Sequence, residues 1–334
     1  MVRLFLVLIV ALGLAPGTWW RAAHGGLEVD ERQILVIEPL RFRQARIGEV
    51  EIAGAWHLDS PNWHFSGYSS LLTMRDGTLL ALTDWGRMLR FAPPGTATRP
   101  FARFDHFASR TEGDKRLFDL EAVTGDPVSG QIWATYENTN QIERYDAHFV
   151  PTGHVRPPQM QGWPSNTGPE AIVRLADGRF VVLSEGSPGW FAADLPALLF
   201  PGDPVEGARP APFRFRPPEG YRPVDTALLP DGRVLILLRR VILGLPPRFE
   251  ARLVLADPAE IRAGERWSGR EIAHLAGPVP MDNYEGLAVE PGEDGALVLW
   301  LISDDNNATF QRTLLLKLRW RSNERAPESP RAPS

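Results

Sequence analysis

Five times along the chain of 334 residues the same unit returns: an apolar run with a small or acidic residue at its start, a tight turn, and a second run rich in Leu, Val and Ile that ends in polar residues. The copies are GYSSLLTMRDGTLLALTDWG from Gly67, DLEAVTGDPVSGQIWATYEN from Asp119, GPEAIVRLADGRFVVLSEG from Gly168, PVDTALLPDGRVLILLRR from Pro223 and NYEGLAVEPGEDGALVLWLISDDNN from Asn283. Asp76-Gly77, Ser129-Gly130, Asp177-Gly178, Asp231-Gly232 and Asp294-Gly295 stand between the two runs, and such pairs tolerate the positive φ of hairpin turns. Further strand-like runs follow, among them MLRFA from Met88, QIERYD from Gln141, ARLVLAD from Ala251 and TLLLKLRW from Thr313. Four strands in a unit of roughly 40–50 residues predict an all-β chain folded as a β-propeller. Five blades are counted, or six if Gln33 to Ser60 forms one of its own. The last unit lacks an outer strand, and GEVEIAGAWHLD from Gly48 is expected to supply it and close the ring. DG turns and alternating strands also suit a β-sandwich, but a sandwich gives no reason for one residue type to recur at one offset.

Composition agrees and narrows the chemistry. Thirty Gly and 31 Pro demand frequent turns. With 36 basic against 41 acidic side chains and a net charge of −5, the chain lacks the basic surface of a nucleic-acid binder. The absence of cysteine excludes disulfides, thiolate metal sites and Cys nucleophiles, so any metal must take oxygen or imidazole ligands. Residues 1–23 carry Arg3 and an apolar run from Leu4 to Ala15, which reads as a signal peptide or an uncleaved N-terminal membrane anchor. A periplasmic or secreted location is expected, with the propeller over 24–320 and a disordered Pro-rich tail over 321–334.

In a propeller blade the start of the first strand and the end of the second lie on one face. Aligning the units puts Ser69, Glu121, Glu170, Asp225 and Glu285 in one column. The strand ends add Asp84, Glu137 with Asn138, Glu185, Arg239, and Asp304 with Asp305 and Asn306. So many carboxylates around one opening either keep protons or require a cation. Carboxylate and amide oxygens suit Ca²⁺, and the expected ligands are Glu121, Glu170, Asp225, Glu285 and Asp304. Glu137 or Glu185 then remains to activate water, while Arg239 and Lys115 orient an anionic group.

Other chemistries lack motifs. No GxSxG elbow, HExxH, Walker or Rossmann pattern is present. His64, between Trp63 and Phe65, is one histidine placed to reach the same face, although a loop histidine beside aromatics more often packs. The Trp residues, among them Trp133, Trp163, Trp190, Trp267 and Trp300, are expected to pack between blades.

The text of the repeats also resembles the phytase-like family, known for esterase-like activity of phytase. FDLEAVT, GPEAIVRLADGRFVVLSEG, NYEGLAV and LWLISDDNNATFQRTLLLKLRW carry the similarity, which runs from about Ser66 to Trp320. It implies an exported bacterial propeller that hydrolyses phosphate or carboxylic esters, with functional weight on Glu121, Glu170, Glu285, Asp304, Asp305 and Asn306. Ser69 and Arg239 depart from a uniform acidic ring. The expectation is a monomeric metal-dependent hydrolase of a small anionic ester. A non-catalytic propeller that binds a ligand or partner, and a lactonase-type propeller enzyme, are the alternatives.

Overall fold

The computed structural model describes residues 29–43, 45–95, 101–107, 119–187 and 193–321. The expected signal peptide or anchor, Lys115, Trp190 and the tail beyond Arg321 lie outside them. Among the described residues no helix is long and apolar enough to cross a membrane.

Five antiparallel sheets form the blades of a propeller. Blade 1 is built from Tyr68–Thr73, Leu79–Thr83, Arg87–Phe91 and Ala102–His106, in that order from the inside outwards. Blade 2 follows with Leu120–Gly125, Ile132–Tyr136, Gln141–Tyr145 and Pro151–Val155. Blade 3 comprises Pro169–Arg174, Phe180–Ser184, Leu195–Phe200 and Ala211–Phe215, and the two-residue strand Arg266–Trp267 adds a parallel edge. Blade 4 has Arg222–Leu228, the longer pair Val234–Ile242 and Arg248–Ala256, and Arg270–Leu275. In blade 5, Asn283–Pro291, Leu297–Asp304 and Leu314–Trp320 come from the end of the chain, while Val50–Asp59 comes from its beginning. The N-terminal strand thus closes the ring, with Trp320 opposite Val50 and Leu314 opposite His57. Residues Val36–Pro39 pair on its outer side, so this stretch extends blade 5 and adds no sixth blade.

The local signals act as the repeat predicts. Gly77, Gly130, Gly178, Gly232 and Gly295 all adopt positive φ in the first hairpin turns. Between the blades, side chains on both faces of the strands interdigitate, because each strand is covered by a neighbouring blade on either side. Leu235, Leu237 and Leu253 pack with Leu299, Leu301 and Leu316 in one such layer, and Ile236, Leu238 and Val254 with Val181, Leu183 and Phe215 in another. Trp133, Trp267, Trp300 and Trp320 are buried as expected, whereas Trp85 is 56% exposed. The five inner strands touch in sequence around the axis, the first meeting the last.

Candidate active site

Equivalent residues of the five hairpins form three rings where the inner strands begin. Pairing across each hairpin fixes the first two. Gly67 stands opposite Asp84, Asp119 opposite Glu137, Gly168 opposite Glu185, Arg222 opposite Arg239 and Asn283 opposite Asp304. The third ring arises because every inner strand has a register irregularity just inside this point. The extra residue of such a bulge lacks a cross-strand partner and turns out of the regular pleat. Ser69, Glu121, Glu170, Val224 and Glu285 occupy that place.

Blade 4 therefore departs from the sequence alignment. Asp225 stands one residue further along, opposite Leu237. One of its oxygens accepts the Thr226 N–H at 2.7 Å and the other the Leu287 N–H at 2.7 Å, so it ties blade 4 to the inner strand of blade 5. Burial raises its pKa well above the carboxylate range, and the two backbone donors offset this only in part. Of the expected ligands, Asp225 alone shows no influence from another carboxylate.

Glu121, Glu137 and Glu170 converge, each offering an oxygen within 4.8 Å of the others. Glu137 accepts the Gly168 N–H at 3.0 Å. No N–H or O–H donor among the described residues reaches the carboxylate of Glu121. Burial, followed by repulsion from Asp84, Glu137, Glu285 and Asp119, drives the Glu121 pKa well upwards. Glu170 is raised strongly as well, by burial and then by Glu121, Glu185 and Glu137. Asp84 is pushed up to about 8, first by burial and then by Glu285, and its Oδ1 is buried with no partner. Asp304 is raised well above its ordinary value by burial, Glu285 and Asp84, although it accepts the Asn306 N–H at 2.7 Å.

The opposite side of the channel is neutralised from within. Arg239 donates to Glu185 at 2.7 Å, to Asn283 Oδ1 at 3.0 Å, and to Glu285. Burial opposes its charge, but Glu285 and Glu185 more than compensate, and the guanidinium is held above its ordinary pKa. Asn283 also donates to Glu285, at 2.8 Å. The arginine that broke the acidic pattern in the sequence is thus the internal counter-ion of Glu185 and Glu285. Around Glu121, Glu137 and Asp84 no such counter-ion is in place among the described residues, and Arg239 acts on Glu170 only through space.

Several other residues are accounted for structurally. Asp305 accepts from Ser66, from Gly67 N at 3.3 Å, from Asn307 N at 3.0 Å and from Thr313 Oγ1 at 3.0 Å, which binds the start of blade 1 to blade 5. Asn138 is exposed. His64 packs against Trp63 and His106, with Nδ1 3.0 Å from the Asp105 carbonyl of the outermost strand of blade 1, and burial lowers its pKa. That is the packing role. Asp119, raised by burial and with φ +73°, stands on the rim and was not singled out in the sequence, where it reads only as the residue before an inner strand.

The chemistry of the donor set fits a hard divalent cation: three convergent carboxylates, an orphaned Asp84 oxygen beside them, and no soft ligand. The sequence model of the phytase-like family, described as esterase-like activity of phytase, matches residues 63–307. No curated protein matches the chain. Among solved structures, the PQQ-bound aldose sugar dehydrogenase of Streptomyces coelicolor is 13% identical, with a TM-score of 0.43, over 87% of this chain and 100% of that one. The β-propeller domain of Cps50 (Swd1) from Myceliophteria thermophila is 11% identical, with a TM-score of 0.41, over 86% and 100%. An exported protein of Bacteroides fragilis, so described only provisionally, is 10% identical, with a TM-score of 0.40, over 89% and 98%.

Proposed function

The chain belongs to the phytase-like family, and on that premise we propose that it is an exported hydrolase of phosphate or carboxylic esters that works with a divalent cation, Ca²⁺ in the first instance, at the channel mouth. The observation that carries this reading is the convergence of Glu121, Glu137 and Glu170 within 4.8 Å, with no donor among the described residues reaching the Glu121 carboxylate. These three residues would hold the ion. When bound, such an ion polarises a phosphoryl or acyl oxygen and lowers the pKa of water. Asp84, poised near pH 8 by burial and its acidic neighbours, can hold or release a proton close to neutrality. Arg239 holds Glu185 and Glu285 in place through its two ion pairs.

The test is metal analysis of the purified protein, followed by chelation and add-back while melting temperature and turnover of phosphate, carboxylic ester and lactone substrates are measured. Calcium should raise the melting temperature by several degrees and restore turnover, and Glu121→Gln or Glu170→Gln should abolish both effects. Unchanged responses in both variants would remove the proposal. Cation-dependent stabilisation with no turnover on any panel would identify a binding propeller instead.

A further inference from the structure

Blade 4 gives no carboxylate to any of the three rings: where the other blades have acids or small residues, it has Arg222, Val224 and Arg239. Arg222 occupies the rim position that Asp119 holds on blade 2. Its Cα is paired directly with that of Arg239, so the two side chains leave the same face of the hairpin as nearest neighbours. Like charges so placed repel, and they persist most readily where something negative answers each of them. Arg239 has Glu185 and Glu285. The two arginines next along the blade are answered as well: Arg240 donates to Glu250, and Arg252 to Glu271 at 2.8 Å. Half-buried Arg222 has no ion pair or hydrogen bond among the described residues.

The approach to Arg222 is rigid. Tyr221, just before it, is clamped between the guanidinium groups of Arg240 and Arg252, 4.8 and 4.3 Å from its ring, and its hydroxyl donates to Glu250 at 2.8 Å. Gly220 turns with φ +78° directly beneath Arg240. Arg222 therefore stems from a fixed backbone position next to an occupied arginine, on the blade that adjoins blade 3 and its Glu185.

We infer that Arg222 is the residue that receives the anionic group of the ligand, a phosphate or carboxylate oxygen pair, and so orients an anionic ester across the mouth. The role expected of Arg239 thereby passes to its neighbour, because Arg239 is already engaged by protein carboxylates. The planar fork of arginine suits this task better than a point charge. The inference rests on the proposed hydrolase only for the ester; anion binding by Arg222 stands apart from turnover.

Inorganic phosphate is the probe for the first arm. Its affinity for metal-free and for calcium-loaded protein is measured by calorimetry for the wild type, Arg222→Gln and Arg222→Lys. The wild type should bind phosphate in at least one of the two forms. Arg222→Gln should weaken that binding about tenfold or more, and Arg222→Lys by less, as expected for the loss of charge-assisted hydrogen bonds. In the second arm, KM for an anionic ester should rise by a similar factor in Arg222→Gln with kcat nearly unchanged, while a neutral ester is unaffected. Absence of phosphate binding in the wild type, or equal affinity in wild type and Arg222→Gln, overturns the inference. If no ester is turned over but phosphate binding still depends on Arg222, the hydrolase reading fails while the anion site stands.

Discussion

A carboxylate that faces other carboxylates with no donor among the described residues, as Glu121 does, stores repulsion that either a proton or a cation relieves. The proton route has a measurable sign. Asp84 at about 8, and Glu121, Glu170 and Asp304 well above their ordinary values, keep protons in the folded chain at pH values where the unfolded chain, titrating near about 4, has lost them. Their contribution to stability is fully present below the unfolded values and is lost as pH rises through the folded ones. In chelator, the melting temperature is therefore expected to fall between roughly pH 5 and pH 8, and calcium should flatten the slope by taking the place of the protons. Thermal unfolding across that range with and without calcium is the measurement, and a melting temperature that climbs with pH in chelator would contradict the account. At this scale the sequence disclosed the acidic column and the second-strand acids, because both recur at a fixed offset from a visible turn. It concealed the partners: nothing in the string shows that Arg239 is taken by Glu185 and Glu285, since those contacts join three blades.

Each inner strand owes its place to a bulge, and the bulge explains the one misaligned ligand. String alignment matched Asp225 to the glutamates by residue type, whereas the extra residue of blade 4 is Val224 and Asp225 turns to the Leu287 N–H. A bulge adds a residue without changing the composition of a strand, so only the pairing reveals it. The strands themselves were legible because DG turns and apolar runs bracket them. Close approach between the inner strands of blades 5 and 1 depends on Gly286. A Cβ there would lie 2.9 Å from Leu71 N and from Ser70 C, and 2.7 Å from Ile302 Cγ2. Backbone cannot yield as a side-chain tip can, so Gly286→Ala is expected to destabilise the protein by about 1–3 kcal/mol. It should also shift neighbouring Glu285 enough to weaken calcium-dependent stabilisation. Denaturant unfolding with and without calcium reads both effects, and a variant indistinguishable from wild type would show that the strands can separate freely.

For the molecule as a whole, closure by Val50–Asp59 decides whether five hairpins become a ring. That strand covers Leu314–Trp320, whose Leu315, Leu316 and Leu318 are fully buried. Deleting residues 1–60 bares a long apolar edge of the kind that pairs with other chains, and the truncated protein is expected to aggregate where the full chain stays soluble. Light scattering and size-exclusion chromatography test this, and a soluble monomer after truncation would show that blade 5 is stable with three strands. The closure was readable in the sequence from the missing outer strand of the last unit, whereas the second added strand, Val36–Pro39, was not, since nothing in the repeat calls for it.

The same pairing sets an order of events during biosynthesis. Val50–Asp59 is synthesised well before the four-bladed stretch that separates it from Leu314–Trp320, and must wait for that partner. Until then, local hairpins can form but the barrier to completion is the entropy of joining two distant stretches of polypeptide. Ring closure is thus a late step, and during that interval a holdase has an unpaired strand to protect.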